Sequence, residues 1–558
     1  MPMKKYEPSE EVDFVVIGSG AGGGVMAKKL SQAGFSVVVL EQGGWGSYGH
    51  EESANKDELL NRFPAESAML LSDPKRQVAT FRRTASEKAV PFNNSYGCVV
   101  GGGTVTYGAS NWRHLPWEFD ELSRFGGIPG ANIADWPISY AEIEPYYTQA
   151  EWEVGVSGQR INTPFLAPMS KPYPLPPQPQ KASGALLRQG AAKLGWFVAP
   201  NAAAIITQPY MGRAACNNCG MCSGYTCQVK ARSSSAVALL PFAEATGKCE
   251  IRANSYVHTI PTDDSGKVTG AVYFETQNNN REVFQKAKVV VLSANAMGSV
   301  RLLLLSANNK FPNGLANTSG VVGKNLMSGN GGGATGLFEQ PLNEYKGCVT
   351  GAAVVSFVPN DVKNRGFYGG ARMTARGQQS PIEYGLSGPH GAPTWGADYK
   401  KALMEQTNRK LSMSNFISTI PVETNMVDLD PDVKDPWGLP AMRITQKSHD
   451  NDLKAVQFFI DRSVEVLKAA GATQVWAGEV QDSRGGAHSR ATCRMGNDPK
   501  TSVVNKYHRA HDVPNLFIVD NSSMVTGGRN HPTLTTSALA FRAADYLVKA
   551  AKAGNVKI

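Results

Sequence analysis

A glycine-rich turn set between two apolar runs constrains this chain more than any other feature. Val12–Ile17 reads as a buried strand, Gly18–Gly24 as a turn, Val25–Ala33 as a helix ended by Gly34, and Ser36–Leu40 as a second strand. That order opens a parallel βαβ unit. Gly18, Gly20 and Gly23 satisfy the spacing G-x-G-x-x-G. The first glycine permits a tight turn, the second lets a diphosphate approach the backbone, and the third brings helix and strand close. Free N–H groups and the positive end of the helix dipole then face the phosphates. Glu41 ends the second strand, where an acid binds ribose hydroxyls. The pattern points to a dinucleotide without separating FAD from a nicotinamide nucleotide.

A length of 558 residues allows several domains. Hydrophobic residues make up 42% and charged residues 18%, the balance of a globular rather than a disordered chain. No apolar run approaches the roughly 18 residues of a membrane helix. Lys4 and Lys5 are followed by polar residues 6–11 instead of an apolar stretch, so no secretory signal is read here. Two locations fit: the cytoplasm, or the periplasm reached by folded export alongside a partner that carries the signal. The formal charge is +9, but Lys and Arg are scattered without a stripe or block, which argues against nucleic acid.

Prolines 164, 168, 172, 174, 176, 177 and 179 exclude a helix or a central strand, so this stretch reads as an extended crossing between domains. Residues 256–291 alternate as hairpins do, with a turn at Asp263–Gly266. Residues 340–445 read as loop-rich, and a long apolar helix is predicted near Thr535–Ala551.

Of eight cysteines, Cys98, Cys249, Cys348 and Cys493 stand apart, whereas Cys216, Cys219, Cys222 and Cys227 form C-x2-C-x2-C-x4-C. The first three repeat the spacing of bacterial ferredoxin loops, and the fourth follows one residue late. An iron–sulfur cluster is the leading expectation. Structural zinc usually separates its C-x2-C pairs by a longer loop, and disulfides or free thiols stay open.

Further motifs carry a family resemblance. They are Val100-Gly101-Gly102-Gly103-Thr104 with Arg113, Asp135-Trp136-Pro137-Ile138-Ser139 with Glu144-Pro145-Tyr146-Tyr147, and residues 292–299. Near the end come Cys493-Arg494-Met495-Gly496, residues 515–520, and Asn530-His531-Pro532-Thr533. Together, in this order, they resemble the glucose–methanol–choline oxidoreductases, and more the bacterial gluconate, fructose and glucose dehydrogenase flavoproteins than the fungal oxidases. Asn295 stands where the family usually has glycine, and Tyr107 near where many members place asparagine.

The resemblance implies an α/β fold, with a Rossmann-like FAD-binding domain and a second α+β substrate domain on an antiparallel sheet. It implies that the FAD domain is assembled from 1–155, 211–335 with the cysteine loop, and 471–558 with the histidines. The substrate domain would take 156–210, including the proline-rich crossing, and 336–470. Gly102, Gly103, Thr104, Asp520, Pro532 and Thr533 would join Gly18, Gly20, Gly23 and Glu41 at the FAD. His488 and His531 fall where the family places its catalytic base and second hydrogen-bonding group. The chemistry suits them: a hydride leaves a carbinol carbon only as the hydroxyl proton leaves, and neutral imidazole accepts a proton near pH 7. His114 and His258 read as structural.

Related sugar dehydrogenases carry a cluster in the cysteine region, often a [3Fe–4S] centre on three cysteines. The implied activity is therefore a dehydrogenase for an alcohol group of a sugar, glycoside or polyol, with a small partner subunit and a cytochrome c or quinone acceptor. The alternatives are an oxygen-using alcohol or sterol oxidase, a non-catalytic electron-transfer subunit, and a flavin-containing lyase.

Overall fold

The computed structural model describes residues 4–46, 76–93, 96–377, 384, 388–486 and 488–557. Strand β1 (Val12–Ile17) lies at the centre of a seven-stranded sheet. It pairs in parallel with β2 (Val37–Leu40), and β2 pairs in parallel with β6 (Cys249–Arg252). On its other side lies β9 (Arg281–Leu292), joined in turn by β18 (Leu516–Ile518). Strands β7 (Ser255–Thr259) and β8 (Gly270–Glu275) complete the sheet as hairpins, as the alternation predicts.

Strand β9 serves two kinds of pairing. Residues 281–286 run antiparallel to β8 and bury alternate side chains, whereas 287–292 run parallel to β1 and are buried almost continuously. A parallel segment covered on both faces requires that continuous burial.

Helix α1 (Ala21–Gln32) begins inside the stretch read as a turn. Only Gly18, at φ +95°, needs glycine for its backbone conformation there. A Cβ at Gly22 would lie 2.1 Å from the Val519 carbonyl oxygen, and one at Gly23 would lie 1.9 Å from that of Gly18. These two are glycine so that the helix can pack against the strand ends. The long helix α6 (Thr533–Lys552) packs against both α1 and helix α2 (Tyr140–Val154), and Tyr147 hydrogen-bonds Thr535 at 2.8 Å.

The second sheet has the order β17 (Gln474–Ala477), β11 (Gly333–Leu337), β14 (Lys410–Ser418), β13 (Ala371–Arg376), β12 (Thr350–Val354) and β5 (Val198–Pro200), with β10 (Gly329–Asn330) against β14. Its pairings are antiparallel. Leu411, Met413, Ile417, Ala371 and Met373 point to a core shared with helices α3 (Ala182–Lys193) and α5 (Asp450–Ala469), through Leu187, Phe459 and Ile460. The alternate positions, including Arg372 and Phe416, face the other way. A smaller sheet joins β15 (Met426–Lys434), β16 (Pro440–Thr445), β3 (Ala79–Arg82) and β4 (Val90–Phe92).

The loop-rich reading of 340–445 is corrected by β12 to β16. Serines and an asparagine interleave with the apolar positions of Lys410–Ser418, so its two-residue period carries little hydrophobic contrast. Residues 378–383 and 385–387 of this region lie outside the described residues. Among the described residues, no helix is long and apolar enough to cross a membrane.

Candidate active site

A cleft of about 240 Å³ runs from the β1–α1 junction to the start of α6. Gly18, Gly20, Glu41, Gly102, Gly103, Thr104, His488, Asp520, Pro532 and Thr533 line it. Gly23 does not line it, because its place is the packing contact with Gly18.

The outer end is shaped for a dinucleotide. A Cβ built on Gly20 would have only the Gly102 Cα, 4.0 Å away, as a close neighbour, so a ligand can approach this backbone. Helix α1 has no side-chain cap and no acid in its first turn, leaving its N–H groups for an anion. Glu41 accepts hydrogen bonds from Ser19 N at 3.1 Å, Ser19 Oγ at 2.6 Å and Gly43 N at 3.0 Å. Burial raises its pKa, opposed by those hydrogen bonds. Ser19 Oγ also accepts from Gly101 N at 2.8 Å, tying the two glycine segments together.

Farther along, helix α4 (Asn295–Leu305) sends Ser299 to Asp520, Oγ to Oδ2 at 2.5 Å. Burial raises the Asp520 pKa as well. Tyr107 lines the cleft and donates to the Ser233 carbonyl at 2.6 Å. These surfaces fit FAD: glycine approaches and a free helix start for the diphosphate, and an acid at the second strand's end for the ribose.

At the inner end His488 lines the cleft, whereas His531 does not line it and packs against His488. His488 and His531 have ring centres 4.9 Å apart with planes at 73°. Phe416 stands edge-on to His488 at 5.0 Å and lies tilted over His531 at 4.4 Å. Burial pushes His488 down to about 4, and burial followed by the neighbouring His488 and arginines holds His531 well below the ordinary value. Both therefore stand as neutral imidazoles near pH 7. Sequence reasoning missed Phe416 and Arg490, since neither lies in a recognised motif. His114 is fully buried, and His258 stacks on Phe274 at 4.3 Å.

Behind the site, Arg113 grips Glu151 by two bonds, Nε to Oε1 at 2.8 Å and Nη2 to Oε2 at 2.6 Å, and reaches Glu144 at 2.7 Å. Motifs far apart in the chain thereby become one buried cluster.

The cysteine loop does not take the expected form. Among the described residues, no three of His, Cys, Asp and Glu are placed to hold a metal ion. Cys219, Cys222 and Cys227 all lie near enough to act electrostatically on Cys216, but their hydrogen-bond partners differ: Cys216 Sγ accepts from Asn218 N and Cys227 Sγ from Arg232 N, both at 3.4 Å. Cys219 is exposed and donates to the Met221 carbonyl at 3.5 Å. Cys222 sits against the buried Cys348 thiol and the Arg232 guanidinium, which hold its pKa below the ordinary value. Among the described residues the four thiols are thus near one another, yet no three of them are placed around one metal ion. Spacing reports how near the thiols are along the chain, not the direction each one faces.

A dinucleotide cleft whose inner end carries paired neutral histidines defines an FAD-linked oxidoreductase. Comparison with known proteins agrees. The chain belongs to the GMC oxidoreductase family, whose N-terminal model matches residues 15–328 and whose C-terminal model matches 421–540. It is 37% identical to 2-methyl-1,2-propanediol dehydrogenase of Mycolicibacterium austroafricanum, over 97% of this chain and 95% of that protein. It is 32% identical to the gluconate 2-dehydrogenase flavoprotein of Pantoea cypripedii, over 95% and 92%. Identity to paromamine 6'-oxidase of Streptomyces fradiae is 28%, over 95% and 90%. The fold matches Aspergillus oryzae formate oxidase with a TM-score of 0.68 at 14% identity, over 98% of this chain and all of that one.

Proposed function

We propose that this chain oxidises a carbinol group of a small alcohol, polyol or sugar-like substrate, with His488 as proton acceptor and His531 as hydrogen-bond partner of the alcohol oxygen. The facing histidine pair at the inner end of an FAD-shaped cleft carries this reading. Bound FAD supplies the hydride acceptor. His488 takes the hydroxyl proton on an imidazole nitrogen, and burial keeps that nitrogen unprotonated beforehand. Phe416 closes the space beside both rings. The start of α6 at Thr533 directs the positive end of its dipole to the cleft, favouring negative charge there.

For the electron acceptor we favour dioxygen, with hydrogen peroxide as product, because among the described residues no three of the four cysteines are placed to hold a metal ion. The 28% identical relative named as an oxidase supports this choice. A second reading is a dehydrogenase that passes electrons through a relay to a cytochrome or quinone, with a small partner subunit carrying an export signal. The cysteine run and two relatives named as dehydrogenases favour it.

The test is anaerobic purification, an assay of iron, acid-labile sulfide and FAD, and mixing with a panel of 2-methyl-1,2-propanediol, gluconate, fructose and paromamine. Alcohol-dependent bleaching of the flavin band supports the alcohol reading, and no bleaching by any member counts against it. Stoichiometric peroxide in air, without iron, supports dioxygen. Iron and sulfide bound in step with FAD would decide for the relay.

A further inference from the structure

Arg490 lies two residues beyond His488 and is wholly buried. Its Nη1 donates to the Gly527 carbonyl and, at 3.4 Å, to that of Asn530. The guanidinium thus holds the loop immediately before His531. It also stands over the Phe416 ring, 5.3 Å from its centre, and that ring packs on both histidines. One side chain therefore touches both the loop that carries His531 and the ring that packs on the histidine pair.

Its charge has no carboxylate hydrogen-bonded to it, although Glu118 acts on it through space. Nε and Nη2 of Arg490 have no hydrogen-bond acceptor among the described residues. The carboxylate that faces it, Glu118, is committed elsewhere: it accepts from Leu115 N at 2.5 Å and Arg529 N at 2.7 Å. Glu121 lies 2.5 Å from the Arg529 guanidinium. The other ionisable groups around the pair are cations or a neutral ring: Arg372, Arg376 and Arg529, with His114 behind. Burying an unpaired guanidinium carries a large desolvation cost, which packing alone does not require.

We propose that Arg490 is a positioning residue of the reaction site: it clamps the 527–530 loop and Phe416 against His488 and His531, and sets beside them a positive charge with no hydrogen-bonded counter-ion. The clamp fixes the distance between proton acceptor and alcohol oxygen. The charge opposes protonation of the histidines before substrate arrives, and favours the negative charge that develops on the oxygen as its proton leaves. This rests on the reading of the pair as the proton-transfer centre.

The experiment compares Arg490→Met and Arg490→Lys with the unaltered FAD-loaded protein. Histidine ring resonances, assigned with His488→Ala, give the titration midpoints without any substrate. Anaerobic flavin bleaching by the fastest panel alcohol gives the rate. In Arg490→Met the His488 midpoint should rise by about one pH unit toward the ordinary value, and bleaching should slow at least roughly tenfold. In Arg490→Lys the midpoint should stay, while the rate still falls, because an ammonium lacks the planar face that stands over the Phe416 ring. An unmoved midpoint with a rate within about twofold in Arg490→Met overturns the proposal. If the methionine variant does not retain FAD, a full wild-type rate in Arg490→Lys overturns the clamp. Turnover surviving in His488→Ala would sink the parent reading, whereas its loss beside a normal Arg490→Met would sink this inference alone.

Discussion

The imidazole of His488 stands edge-on to that of His531, 4.9 Å between ring centres, and Phe416 covers both. Two segments separated by the strand Leu516–Ile518 supply the two rings. Removing the first ring should leave the cleft's glycine end untouched. His488→Ala is expected to keep its FAD and lose alcohol-dependent bleaching by about 10²–10⁴-fold. Full turnover with normal FAD content would remove His488 from the reaction.

The pH profile follows from the direction of the histidine shifts. Burial pushes His488 down to about 4, so its neutral form persists well below the ordinary 6.5. The apparent kcat/KM for alcohol should stay level from about pH 8 down to about 5 and fall only below that. An acid limb centred on 6.5 would mean a solvated base.

Two glycines of the same turn should fail in different ways. Gly20→Val meets nothing closer than the Gly102 Cα at 4.0 Å from its Cβ, so it should fold and exclude FAD. Gly23→Val drives a Cβ to 1.9 Å from the Gly18 carbonyl oxygen and should fail to fold. Flavin content and circular dichroism of the two variants separate these outcomes.

The Arg113–Glu151 pair is buried on both sides, with side chains 2% and 0% exposed. Arg113→Met strands the Glu151 carboxylate, which should cost about 3–5 kcal/mol in urea denaturation. Adding Glu151→Met should restore part of the loss. A neutral single variant would show that Glu144 and Glu151 find other partners.

Changing Cys216, Cys219, Cys222 and Cys227 together to serine separates the acceptor readings. With dioxygen as acceptor, flavin bleaching and peroxide formation should change by less than about threefold, since each thiol is replaced by a similar polar group. Loss of electron delivery to a cytochrome or dye, with bleaching intact, would instead mark the loop as a relay.

What could be read from the chain alone was local. The βαβ opening, the 256–291 hairpins and the terminal helix each declare themselves within fewer than about forty residues, by period and by glycine. The histidine pair was legible only through family order. Phe416 was not, because its strand alternates apolar residues with serine and asparagine, and because its partners lie more than seventy positions onward. The same holds for Arg490: its sequence neighbours are ordinary, and only the folded chain brings Gly527, Asn530 and Phe416 to its guanidinium. The helix start was misplaced because three glycines look like a turn until the strand they pack against is known.

Strand β18 docks beside β9 at Val290–Leu292, and helix α6 then seals α1 and α2. In order of synthesis these pieces come long after the phosphate-facing turn. A growing chain on the ribosome therefore carries that turn for most of its length while the edge of β9 stays bare and the proton-transfer end is missing. The cleft is walled only once residues 520–533 are in place, and a chain cut short before β18 would leave an unpaired apolar edge on β9, a surface prone to aggregate.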